Sequence, residues 1–178
     1  MLALLILIVF AQVDLSGAAI DDNERSVLEA VLRDPELIKR TDFGSFVLSP
    51  TTHLASMTYV TVPPFNEMTL DRSQSAFTLS AELVESLRSR NEHSVSLLGI
   101  ARPKPTRRSG ATQVNPRRNV DVSRPGFSDR RTSAVVVIMG TEGDCRTRGG
   151  CAHGGYTAYL ERNDGGWRVI GHGGHWIE

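Results

Sequence analysis

Apolar positions along this chain follow two different periods, and the change from one to the other organises it. Val27, Leu28, Val31 and Leu32 fall on one side of a 3.6-residue repeat. Asp21-Asp22-Asn23-Glu24 supplies an N-cap and first-turn acids ahead of them. Asp34-Pro35 ends the run, because proline pushes the residue before it out of the helical region. The pattern predicts a helix over residues 22–33. A second helix is predicted over 78–90, with Leu79, Leu83, Val84 and Leu87 on one face, Ser80 or Thr78 as cap and Asn91 as stop. Its other face carries Glu82, Glu85, Arg88 and Arg90, and Glu85 and Arg88 form an i,i+3 pair on a solvated surface.

In the C-terminal third the period shortens to two. Asn119–Ser123, Ser133–Met139, Tyr156–Arg162 and Trp167–Gly171 are rich in β-branched and aromatic residues, and the last runs on towards Trp176-Ile177. Tyr156, Ala158 and Leu160 face one way, Thr157, Tyr159 and Glu161 the other. Asn163-Asp164-Gly165-Gly166 reads as a hairpin turn, where glycine accepts the positive φ that tight turns require. Upstream, Ser45–Leu48 reads as a short strand and Ser49-Pro50-Thr51-Thr52 as a turn. Residues 55–77, interrupted by Pro63-Pro64, read as loop with strand fragments. The expected fold is α+β: two amphipathic helices covering one face of a C-terminal antiparallel meander.

The N-terminus changes the picture of the compartment. Leu2–Ala11 is an unbroken run of ten apolar residues, too short for the roughly 20 that a spanning helix needs. Polar Gln12 and Asp14 follow, then the small residues Ser16-Gly17-Ala18-Ala19. This is the outline of a secretory signal peptide over residues 1–19, cut after Ala19, with a single domain over 20–178. No lysine or arginine precedes the apolar run, and a buried strand or helix is the competing reading. No integral membrane segment is expected after cleavage, and the protein is expected to be periplasmic or extracellular.

Charge is balanced overall but divided along the chain, with 13 acids and 7 bases over residues 1–92 and 7 acids and 13 bases over 93–178. Halves of opposite sign favour mutual contact over a global field, so nucleic acid is not an expected partner. Arg102, Lys104, Arg107, Arg108, Arg117 and Arg118 concentrate six bases, with three prolines and no acid, in residues 102–118. Composition makes this a flexible loop, either simply solvated or docking on an anionic envelope surface. No aromatic residue is interleaved there for base stacking.

Candidate chemistry is confined to the C-terminal end. Cys145 and Cys151 enclose Arg146-Thr147-Arg148-Gly149-Gly150 between two expected strands, a geometry suited to a disulfide across a hairpin loop. Closing so small a ring stabilises by about 2 kcal/mol through the unfolded chain. A redox centre needs closer spacing, and no Cys-x-x-Cys-His is present for haem. Zinc is the alternative, with Cys145, Cys151, His153, His172 and His175 all near the C-terminus, although their spacing matches no finger or knuckle. His172 and His175 point to opposite faces of a regular strand unless Gly173-Gly174 forms a bulge. Glu142 and Asp144 read as turn formers or as acid–base partners of His153. Trp167 and Trp176 read as packing between helix and sheet or as sugar-stacking platforms. His-Gly-Gly occurs at 153–155 and 172–174 without a Gly-x-Ser-x-Gly elbow, and no phosphate-binding, dinucleotide or EF-hand motif occurs. No cofactor is expected.

The Cys-bearing glycine-rich hairpin, Gly155-Tyr156-x-x-Tyr159-Leu160-Glu161-Arg162-x-Asp164-Gly165-x-Trp167-x-Val169 and the closing Trp176-Ile177 resemble an uncharacterised group of exported bacterial proteins. The likeness extends to the second helix and Arg90-Asn91 and covers about half the chain. The last hairpin is also similar to those of nuclear-transport-factor-like and cystatin-like domains. The resemblance implies export and an α+β fold, and no activity. The expected function is a non-catalytic binding or structural domain. A metal-dependent or acid–base hydrolase using His153, His172 and His175 is the alternative, and an anionic-surface binder the second.

Overall fold

The computed structural model describes residues 19–35, 46–52, 67–71, 73–100, 118–142 and 152–177. The apolar N-terminal block, basic residues 102–117 and both cysteines lie outside them. The first helix, α1, spans Asp22–Leu32 and opens on a reciprocal capping box. Glu24 N–H donates to Asp21 Oδ1 at 2.7 Å and Asp21 N–H donates to Glu24 Oε2 at 2.8 Å. The second helix, α2, spans Ala81–Arg90, with Ser80 Oγ accepting from Leu83 N–H and Asn91 at its end. It starts later than the sequence pattern suggests because Ala76–Thr78 pairs as a strand instead.

The strands are β1 Phe46–Leu48, β2 Glu67–Leu70, β3 Ala76–Thr78, β4 Arg118–Val122, β5 Gly126–Phe127, β6 Ser133–Glu142, β7 Ala152–Asn163 and β8 Gly166–Ile177. They form one sheet in the order β1-β4-β6-β7-β8-β2-β3, with β5 also on β6. The antiparallel meander β6-β7-β8 is its centre, as the period-two pattern predicts. The sheet is wider than that pattern indicates. β4 adds antiparallel to β6, β1 adds parallel to β4, and the β2–β3 hairpin closes the other side on β8.

Alternation along β6 separates the core in two. Ala134, Val136 and Ile138 pack with Val27, Leu28, Val31 and Leu32 of α1. Val135 and Val137 pack with Leu83 and Leu87 of α2 and with Met68 and Leu79. Successive strand residues point to opposite faces, so the helices do not share a face as expected from sequence, and each covers its own. A central strand buried on both sides explains the unbroken apolar run Ala134–Met139.

The β7–β8 pair carries two irregularities. At the turn, Gly166 takes φ +104, a conformation open to glycine, while Gly165 N–H donates to Asn163 Oδ1 at 2.9 Å. Further on, Leu160 pairs with Val169 but Tyr159 pairs with Gly171, which leaves Ile170 as a bulge. The extra residue resets the parity of β8, so that Val169 and His172 lie on the same face despite their odd spacing. The Ile170 carbonyl accepts Asp71 N–H at 2.8 Å, fixing the end of β2 against the bulge. No helix among the described residues is long and apolar enough to cross a membrane.

Candidate functional site

The bulge carries His172 to a position opposite Ala158 of β7 and Thr69 of β2. Its side chain is buried, and its ring lies parallel to that of Tyr156, with centroids 5.6 Å apart and planes 7° apart. Nδ1 meets the Asp71 carboxylate. Asp71 is held in turn through its N–H on Ile170 and its carbonyl, which accepts from Gln74 Nε2 at 2.7 Å. Nδ1 faces that carboxylate, and the contact fixes the orientation of the ring. Chemically, such a histidine can hydrogen-bond or ligate through Nε2. Structurally, it ties the β2–β3 hairpin to the middle of the sheet. Replacing Asp71 with alanine is expected to speed amide exchange at Leu70 and Gln74 by about tenfold, as for loss of a charge-assisted hydrogen bond worth about 1.5 kcal/mol. Exchange at Val136 and Ile138 should not change, and a uniform acceleration would mean global destabilisation instead.

A second ionic cluster joins both helices to the link between β4 and β5. Glu24 is 1% exposed. Its Oε1 accepts from Arg124 Nε and Arg90 Nη2, each at 2.8 Å, and its Oε2 from Arg124 Nη2 at 3.2 Å and Asp21 N–H. Burial alone raises the carboxyl's pKa; hydrogen bonds from Arg124, Asp21 N–H and Arg90 outweigh it and hold the group below its ordinary value. Arg90 and Arg131 also stand over the Phe127 ring, 5.1 and 5.3 Å from its centroid. Asn91 completes the seam: its Nδ2 donates to the Leu87 and Arg124 carbonyls at 2.7 and 2.9 Å, and its Oδ1 accepts Arg124 N–H at 2.7 Å.

Of the histidines, cysteines and basic-loop residues singled out by sequence, His172 alone has a described side chain. Register sets His153 opposite Ile177 and Thr141, and His175 opposite Gly155. No register shift occurs at Gly173-Gly174, so His172 and His175 occupy opposite alternations of β8, while His153 and His175 share one across the β7–β8 pair. Glu142 pairs with Ala152, the last rung of the β6–β7 ladder. Cys145, Cys151 and Asp144 fall in the link beyond it, outside the described residues. Arg102, Lys104, Arg107, Arg108 and Arg117 are likewise outside, and Arg118 opens β4 opposite Phe46. Among the described residues no three His, Cys, Asp or Glu side chains group as metal ligands. Trp167 serves packing: its Nε1 donates to Asn23 Oδ1 at 2.9 Å and its ring lies 5.8 Å from Phe127.

The sequence pattern does not indicate Asp71, Glu24, Arg90 and Arg124 as a site. Glu24 does carry a signal, because 24, 27, 28 and 31 form an i, i+3, i+4, i+7 stripe that places a carboxylate on the buried face of α1. Arg90 belongs by periodicity to the exposed face of α2 and instead turns towards Glu24. Asp71 lies in a stretch without periodicity and carries none. Compared with protein-family models, with curated proteins and with solved structures, the chain matches none.

Proposed function

We propose that the chain is an exported α+β module of the periplasm or cell envelope that binds or supports a partner and performs no chemistry. One observation carries this reading: among the described residues, the buried acidic and basic side chains, Glu24 and His172, are both engaged in fastening elements together. Glu24 joins α1 to α2 and to the β4–β5 link, and His172 joins β8 to the end of β2. Export is supported by the signal-like N-terminus and by the hairpin's resemblance to exported bacterial proteins. It is also supported by Ile20, a side chain of the first core cluster, which directly follows the expected cleavage position. The reading includes a Cys145–Cys151 disulfide, since both cysteines fall in the one link between β6 and β7, strands paired up to Glu142 and Ala152.

The competing hydrolase reading draws on the carboxylate behind His172, an arrangement shared by metal-ligating and general-base histidines. Intact mass, thiol titration and metal analysis of untagged protein from the exported fraction test both. The expected protein begins at Ile20, has a mass two daltons below the reduced value, no titratable thiol and no stoichiometric metal. Two free thiols would remove the disulfide, and one zinc per chain would reverse the ranking of the two readings.

A further inference from the structure

We infer that the Ala19–Ile20 bond is open to a signal peptidase only until the domain folds, so that processing precedes folding. The inference rests on the proposed export signal and adds to it an order of events. Cleavage adds water across the bond between the Ala19 carbonyl carbon and the Ile20 nitrogen, leaving a carboxylate on Ala19 and an ammonium on Ile20. The residues after the scissile bond are held by the fold. The Ile20 side chain is 7% exposed and belongs to the core cluster that α1 forms with β6. Asp21 is fixed through every polar group it has. Its N–H donates to Glu24 Oε2 at 2.8 Å, its Oδ1 accepts from Glu24 N–H at 2.7 Å and its carbonyl accepts from Arg25 N–H at 2.9 Å. Its Oδ2 lies 3.5 Å from Arg131 Nη1.

A protease that takes its substrate as an extended strand must draw Ile20 out of the core and break the capping box. That unravels the first turn of α1 and removes one of the donors that hold the buried Glu24 carboxylate. Cleavage of the folded chain therefore waits on an opening of α1, and its rate follows the population of that open form. In the unfolded chain none of these contacts exists, and the bond is as accessible as the small residues before it. The same packing makes Ile20 the first structural residue of the mature protein rather than part of a loose tail.

The test uses the full chain made by cell-free synthesis, with a purified signal peptidase in detergent micelles present either during synthesis or only after folding. Cleavage during synthesis, and slowing by at least about 100-fold when the enzyme is added after folding, is the expected result. A second precursor, with Ser-Gly-Ser-Gly inserted between Ala19 and Ile20, moves the cut away from the core and should be processed after folding as readily as during synthesis. Equal rates for the unmodified chain before and after folding would overturn the proposed order while leaving the signal intact. An inserted precursor that stays resistant after folding would also overturn it, by placing the protection outside Ile20 and Asp21. No cleavage under either condition would remove the signal reading and the inference with it.

Discussion

Replacing Glu24 with glutamine is expected to lower the free energy of unfolding at neutral pH by about 3 kcal/mol, read as a lower urea midpoint at unchanged slope. The amide keeps the shape of the side chain but removes the charge around which two guanidiniums are arranged. Arg124 engages both carboxylate oxygens and Arg90 one of them, with side chains only 17% and 23% exposed. Both are less open to water than the members of a surface pair. Arg90 Nε is already buried with no acceptor, so the cluster has no spare capacity to absorb the change. Adding Arg90→Met should cost less than its own single-variant effect, because the charge it removes is no longer compensated. A shift of less than about 0.5 kcal/mol for Glu24→Gln would reduce the cluster to the energetics of a solvated pair.

The same carboxylate sets an acid limit on stability. Its folded pKa lies below the ordinary 4.5, so between the two values the unfolded chain binds a proton that the folded one does not. The contribution of Glu24 is complete above the ordinary value and is lost as pH falls through the lower folded one. The stability gap between the parent protein and the Glu24→Gln variant should therefore be widest near neutrality and close progressively on acidification. A gap that widened towards acid would mean that the carboxyl is held above its ordinary value.

Local pattern makes the helices, the meander and the Asn163–Gly166 turn legible, because each depends on residues close in sequence. α1 begins and ends where its cap and proline place it, and β7 alternates as Tyr156, Ala158 and Leu160 indicate. What the pattern does not carry is set by contacts distant along the chain. The parallel β1–β4 pair joins residues about seventy positions apart, and β2 reaches β8 across a hundred. The bulge at Ile170 is silent in the sequence, since Val169-Ile170-Gly171 reads equally well as regular strand. Yet that one residue decides which face His172 occupies, and with it whether the C-terminal histidines can converge. Placing both helices on one face fails for a similar reason. The apolar run in β6 shows that two faces are covered, but not which helix covers which.

Gly126→Ala is the substitution that tests that two-sided arrangement most directly, and it is expected to cost about 3 kcal/mol. Gly126 sits in β5 opposite Val135, and its φ is not positive, so backbone freedom is not what the position requires. It requires room. A Cβ there would stand 2.6 Å from the Leu87 nitrogen and 2.8 Å from both the Leu83 oxygen and the Leu87 Cα. These are backbone atoms of α2, which cannot rotate aside. The helix must retreat, and it cannot do so alone. Ser86 Oγ accepts Phe127 N–H at 2.8 Å, the Glu82 carboxylate accepts Asp129 N–H, and Asn91 holds Arg124 by both ends of its amide. Leu83 and Leu87, buried against Val135 and Val137, would be drawn off the sheet with it. Gly174→Ala is the matched control, since a Cβ at Gly174 meets nothing within 4 Å, and a change within about 0.5 kcal/mol is expected. Urea denaturation of the two variants separates the outcomes: if alanine is as mild at 126 as at 174, α2 does not rest its backbone on β5. The second core would then have to be closed by some other element.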